Sequence, residues 1–217
     1  MYIGLDFSLN APGLCALTDN GYKWVSFSNY QGRDRHLKPL KSFYWNHKLA
    51  EDNVIDVVLY DRISKGSNYQ EEQQVKLDEA QMIANMIVKK ISELTDDPWI
   101  GIEGYSYGSK GNSFIDLITF GAINRHELNK RWPGRVDIYS PSSLKMKAGK
   151  GNYNKFEMFD KFQENVLDDP ILSNDYFWKT SFEHNPIKEV SKPFEDLIDS
   201  YFALHCHKDN IESKQIV

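Results

Sequence analysis

The chain opens with MYIGLDFSLN at 1–10, and a second stretch, WIGIEGYSYG at 99–108, has the same form. Each contains a short apolar run that reads as a buried strand, Ile3-Gly4-Leu5 and Ile100-Gly101-Ile102. Each run ends on an acid, Asp6 in the first and Glu103 in the second. An ionised carboxylate held away from water is costly unless it finds a partner. A capping role for Asp6 in the chain reversal before Asn10, or a lysine beside Glu103, accounts for either acid singly.

Around these two strands the rest of the chain falls into order. NAPG at 10–13 is a turn signal, and LCALTD and YKWVSFS on either side of Asn20-Gly21 complete an antiparallel meander with the first strand. The stretch 31–68 is irregular, except that VIDVVLYDRI at 54–63 reads as a strand. From Glu71 to Leu94, Val75, Ala80, Ile83, Met86, Ile87 and Ile91 recur at helical spacing, and Pro98 ends the pattern. This helix is also the expected dimer surface. A second helix is expected over 113–132, then the strand RVDIYSP, and then two helices flanking AGKGN within 141–162. Residues 165–192, rich in Asp, Asn and Pro, read as a loop or insertion, and a closing helix carries FEDLIDSYFALHCH.

Composition narrows the class. The chain has 217 residues, 41% of them hydrophobic, enough for one domain with a substantial core. No apolar run approaches the roughly 18 residues of a membrane helix, and the N-terminus enters a strand at once, so a cytoplasmic protein with no membrane partner is expected. Two cysteines, Cys15 and Cys206, have no metal-ligand spacing and fit a reducing compartment. The net charge of −5 speaks against a nucleic-acid partner, but Lys and Arg are concentrated. They number five against one acid in 31–48, four against one in 125–135, and five against two in 143–162.

In the closing helix Asp196 and Asp199 stand i, i+3, on one face. Acids in a first helical turn are common, because the helix dipole favours them by roughly 0.3–1 kcal/mol. One arrangement explains all four acids together. If Asp6 and Glu103 end adjacent strands and the closing helix lies beside them, they form an all-oxygen cluster. Mg²⁺ and Mn²⁺ take such ligands, and two ions about 3.5–4 Å apart clamp the attacking and leaving oxygens of a phosphodiester.

These segments resemble the RuvC-like Holliday-junction resolvases, which have the retroviral-integrase-type ribonuclease H fold. IGLDFSLNAPGLCAL is similar to the family's first strand and hairpin, and IGIEGYSYGSKGNSFIDLITFGAI to its strand ending in Glu, loop and helix. SPSSLKMKAGKGNYNKFEM is similar to a Pro/Ser-started helix leading into a G-x-G loop, and EDLIDSYFALHCH to the terminal helix with its D-x-x-D pair. The resemblance implies an α/β, ribonuclease H-like fold: a mixed five-stranded sheet, antiparallel meander then parallel strands, flanked by helices. It implies one nuclease domain over 1–217; the chain departs from the family by insertions near 31–68 and 165–192, an elaboration that suits a viral member acting in the host cytoplasm.

The function implied is cleavage of Holliday junctions or other branched DNA by a homodimer. Asp6, Glu103, Asp196 and Asp199 are its catalytic, metal-binding acids, holding two Mg²⁺ or Mn²⁺ ions per active site. DNA contacts are expected from Ser8 beside Asp6, from Tyr105, Tyr107 and Lys110 on the loop after Glu103, and from Lys145, Lys150 and Lys155 around Gly149 and Gly151. Aromatic rings on such a loop stack on unpaired bases for roughly 1–3 kcal/mol each. His205 and His207, two apart on a helix, face different directions and do not suggest a zinc site.

Three other readings compete. A two-lobed sugar-kinase or actin-like ATPase needs a longer chain with a repeat. Another nuclease on the same fold, acting on RNA–DNA hybrids or on duplex DNA during packaging, would use the same acids. A non-catalytic nucleic-acid-binding module would have no need of them.

Overall fold

The computed structural model of the chain describes residues 1–8, 11–29, 46–51, 54–105, 112–169, 171 and 192–215. Three strands come first, β1 (Tyr2–Asp6), β2 (Gly13–Thr18) and β3 (Gly21–Ser28), in an antiparallel meander. The β2–β3 turn ends at Gly21 with φ of 109°, where the Thr18 hydroxyl donates to the Gly21 carbonyl at 2.8 Å. β4 (Asp56–Leu59) follows and pairs parallel with β3. It comes from the VIDVVLYDRI segment and is a sixth strand, so the expected five-stranded sheet is one strand too small. Residues 31–45 and 52–53 of the first expected insertion, and most of 165–192, lie outside the described residues.

Helix α1 (Tyr69–Leu94) starts where the Asn68 side chain accepts the Glu71 N–H, and stops at Thr95, short of Pro98. Its Ile83, Ile87 and Ile91 repeat at i, i+4 and are buried against the sheet. β5 (Trp99–Glu103), α2 (Asn112–Arg131) and β6 (Val136–Tyr139) follow. Next come α3 (Pro141–Ala148), capped by Ser140, and α4 (Lys155–Asp168), opened by an Asn154–Glu157 capping box. The last element is α5 (Phe194–Gln215).

The six strands lie in the order β4-β3-β2-β1-β5-β6. β1 and β5 are parallel neighbours at the centre, with Gly4 opposite Gly101 and Leu5 opposite Ile102. Both faces are covered. Ile3, Leu5, Ile100 and Ile102 point to the face under α1 and α2, whereas Cys15 and Trp24 point to the face under α3, α4 and α5.

Strand alternation then puts Gly4 and Asp6, and likewise Gly101 and Glu103, on the α5 face. There α5 approaches at backbone distance. A Cβ at Gly4 would fall 1.8 Å from the Ser200 carbonyl oxygen and 2.5 Å from the Leu204 nitrogen. At Gly101 it would fall 2.5 Å from the Ala203 carbonyl oxygen, and at Gly13 2.5 Å from that of Asp196. Three glycines on three adjacent strands thus form a floor on which the helix rests, with the small Ser200 and Ala203 facing it, both fully buried.

The far half of α5 is fixed by its histidines. His205 Nε2 hydrogen-bonds the Tyr22 hydroxyl at 2.9 Å, and His207 Nδ1 hydrogen-bonds the Tyr139 hydroxyl at 2.9 Å. The two rings reach opposite sides of the sheet centre, β3 on one side and β6 on the other.

Because neither backbone can yield cheaply, Gly4→Ala or Gly101→Ala should lower unfolding free energy by about 1–3 kcal/mol or more, the cost of overpacking a tight core. Urea denaturation followed by tryptophan fluorescence measures it. Gly134→Ala, where an added Cβ meets nothing within 4 Å, should cost less despite its φ of 73°.

Candidate metal centre

Asp6 and Glu103 end β1 and β5, one residue beyond the paired Leu5 and Ile102, and α5 lays Asp199 over them. One carboxylate oxygen from each of Asp6, Glu103 and Asp199 lies within 4.8 Å of the others. Three hard oxygen donors at that separation suit a small divalent cation such as Mg²⁺ or Mn²⁺, and do not suit a thiophilic one.

The fourth expected acid is placed differently. Asp196 is buried, with its Oδ1 paired to Lys192 Nζ, while its Oδ2 is buried with no hydrogen-bond partner. Lys192 Nζ also donates to Ser8 Oγ at 3.1 Å, and Ser8 Oγ accepts the Ala11 N–H at 3.1 Å. Ser8, expected to contact DNA, is here engaged with the Ala11 backbone and with Lys192.

The cluster is electrostatically loaded. Burial, and then the charge of Asp199, push the Asp6 carboxyl up to about 6. Burial and then Asp196 push Asp199 up to about 7. Glu103 and Asp196 rise well above the usual carboxylate range, again from burial first, with neighbouring acids adding to it. Lys192 works against the rise at Asp6, Asp196 and Asp199. Burial opposes the charge of Lys192 itself, yet Asp196 and Asp6 hold it above the ordinary lysine value.

A cleft of about 290 Å³ opens over the acids. Asp6, Glu103 and Asp199 form its base, Phe7, Leu117, Leu144 and Met158 its apolar walls, and Lys145, Lys155 and Glu195 line it as well. Lys155 Nζ stands 4.0 Å from Glu195.

Of the expected DNA contacts, Lys145 and Lys155 thus share the acids' cleft. Lys150 is exposed on the α3–α4 loop and does not line it. Tyr105 is committed elsewhere. Its hydroxyl donates to the Ile118 carbonyl at 3.0 Å, its ring lies 4.3 Å from the Arg125 guanidinium, and Gly121 leaves the space it fills. Its ring is packed on α2. Tyr107 and Lys110 lie outside the described residues.

The basic stretch 125–135 is also engaged locally. Arg135 pairs with Asp97 at 2.8 Å and covers the Trp99 ring at 3.9 Å, and Arg131 reaches Asp96 at 3.9 Å. Lys192 and Glu195 are the site residues that sequence reasoning missed. Lys192 stands four residues before Asp196, the spacing of a helical ion pair, but Pro193 between them reads as a helix boundary and hides it.

No protein-family model and no curated protein sequence matches the chain. Its fold is similar to that of the Thermus thermophilus RuvC structure, with a TM-score of 0.50 and 14% identity, covering 98% of this chain and 95% of that one. At that identity the likeness shows the fold: α/β, ribonuclease H-like, of the RuvC type. Among the described residues no helix is long and apolar enough to cross a membrane.

The raised carboxyls fix the sign of a pH effect. A folded state that binds protons more tightly than the unfolded chain is stabilised below the unfolded value near 3.8 and loses that stability as pH rises through about 6 and 7. Melting temperature in EDTA should therefore fall between pH 4 and 8, and Asp199→Asn should flatten the fall. Mg²⁺ or Mn²⁺ at pH 8 should raise the melting temperature of the wild type and have little effect on the variant.

Proposed function

We propose that the protein is a divalent-metal-dependent endonuclease that cuts branched DNA, four-way junctions foremost, as a homodimer. The observation that carries this reading is the convergence of the Asp6, Glu103 and Asp199 carboxylates in one cleft shared with Lys145 and Lys155. An acid cluster alone repels a phosphodiester. Two lysines beside it give the phosphate a place to bind, while the acids hold cations under it. On this reading the whole of 1–217 is one nuclease domain carrying 31–68 and 165–192 as insertions.

Asp6, Glu103 and Asp199 would hold the ion, with Asp196 as the further ligand when two are bound. Bound Mg²⁺ or Mn²⁺ supplies polarisation of a phosphoryl oxygen and lowers the pKa of water. The protein's own share is positioning. Lys145, in the last turn of α3, and Lys155, in the first turn of α4, approach the cleft from two helices and fix the phosphate between them. Phe7, Leu117, Leu144 and Met158 limit water at the reacting centre.

None of the described residues lining the cleft is a serine, cysteine or histidine. Direct attack by water is therefore favoured over a covalent intermediate on a hydroxyl, thiol or imidazole. The choice of branched DNA over a hybrid or linear duplex rests on the resemblance of the segments at 3–17, 100–123, 140–158 and 195–207. Two-fold symmetry of a four-way junction, which presents two equivalent strands, is the reason for proposing a dimer.

The test is cleavage of labelled four-way junction, Y-fork, linear duplex and RNA–DNA hybrid with Mg²⁺ or Mn²⁺. Paired symmetric nicks in the junction are expected, and Asp6→Asn should slow them by at least about 10²-fold, the several kcal/mol a metal contributes to the transition state. Replacing Lys145 and Lys155 together by Ala should weaken junction binding and reduce its salt dependence by roughly two phosphate contacts. Cutting of hybrid alone would move the protein to a different nuclease class, and no cutting of any substrate would leave only the fold.

A further inference from the structure

Lys192 is a lysine with its side chain four-fifths buried, set between Ser8 and Asp196 and close enough to Asp6 to act on its charge; the metal-binding reading of the neighbouring cleft is taken from the section above. Surface lysines face solvent, and a buried ammonium demands partners. Here it finds a carboxylate and a hydroxyl. The price of that pairing falls on Asp196, which stands beside Asp6 yet is not one of the three converging acids. Its remaining oxygen, Oδ2, is buried with no hydrogen-bond partner. A carboxylate that is 3% exposed, with one oxygen neutralised and the other unused, is a ligand held in reserve.

Charge counting points the same way. The four acids, fully ionised, carry four negative charges, and Lys192 leaves a net of three. One dication at Asp6, Glu103 and Asp199 is then accommodated with one negative charge to spare, but two dications exceed what remains. With the ammonium withdrawn, four carboxylates balance two dications. Two ions about 3.5–4 Å apart repel strongly, and only a full set of acids offsets that repulsion.

We infer that Lys192 is an internal counter-ion that keeps the second metal position closed: one divalent ion binds at Asp6, Glu103 and Asp199 with Lys192 in place, and a second binds only when the ammonium releases Asp196. Lys192 is thus a positioning residue. It acts through Asp196 and makes loading of the site sequential. Ser8 is its parking place, since the hydroxyl that closes the turn after β1 also accepts from Nζ.

The experiment is titration of the metal-free full-length protein with Mn²⁺ at pH 8, with free Mn²⁺ counted by electron paramagnetic resonance, so the readout does not depend on cleavage. The wild type should bind one ion tightly and a second at least about ten-fold more weakly. Lys192→Gln should bind two with the gap removed, and Lys192→Arg, which keeps the charge, should keep the gap. Asp196→Asn in the otherwise unchanged chain should retain the first ion and lose the second, which tests the idea even where Lys192→Gln does not fold.

Two equal sites in the wild type, an unaltered pattern in Lys192→Gln, or loss of the first ion in Asp196→Asn would overturn it. Binding of no Mn²⁺ at all would overturn both this inference and the nuclease reading. Sequential loading without cleavage of any DNA would leave the inference standing and remove only the nuclease reading.

Discussion

Everything at the site depends on α5 lying against the sheet at backbone distance. Ordinary helix-on-sheet packing keeps side chains between the two layers, and an acid on the helix would then stand too far from acids on the strands to share an ion. Gly4, Gly13 and Gly101 remove that spacer from three adjacent strands, and Ser200 and Ala203 remove it from the helix. The same strand alternation that turns a glycine toward the helix turns the acid two residues later toward it as well. The motifs Gly4-Leu5-Asp6 and Gly101-Ile102-Glu103 are therefore two halves of one device, a seat for the helix followed by a ligand beside it.

Close packing has an electrostatic consequence. Bringing four carboxyls together, three of them lining the cleft and Asp196 buried beside Asp6, raises all four above their ordinary range, with burial as the leading cause in each case. The glycine floor and the apolar contacts around α5 supply the stability that this concentration of charge removes. Lys192 relieves part of the repulsion from within the fold, and a bound cation would relieve more. Stability and ion binding are in this sense the same property measured in two ways.

Much of this was legible in the sequence because it is carried by short periodic segments. The apolar runs ending in Asp6 and Glu103, the spacing of Ile83, Ile87 and Ile91, and the i, i+3 pair on the closing helix each encode an element and its buried face. Their placement as adjacent parallel strands beside α5 follows. Contacts between segments distant in sequence were not legible. Nothing local to Tyr105 shows that its ring is claimed by Arg125 and Gly121 some 16–20 positions later. Likewise β4 was visible as a strand, but its joining the edge of this sheet depends on a parallel pairing with β3 that no short-range pattern records. Lys192 was missed partly for the same reason, since Ser8 lies at the other end of the chain, and partly because Pro193 masks its i, i+4 relation to Asp196.

The histidines that pin the far half of α5 bear on how the near half can be studied. Burial drives His205 down to about 4 and lowers His207 below the ordinary histidine value, so both rings are uncharged above neutral pH. Their hydrogen bonds to Tyr22 and Tyr139 join neutral partners, because burial raises both phenols far from neutrality. Above neutral pH the helix is thus anchored by groups that hold one charge state, which makes them silent spectators there. In that range a pH-dependent signal from the acid end of α5 can be read as the chemistry of the carboxylates themselves, uncontaminated by movement of the anchor that carries them.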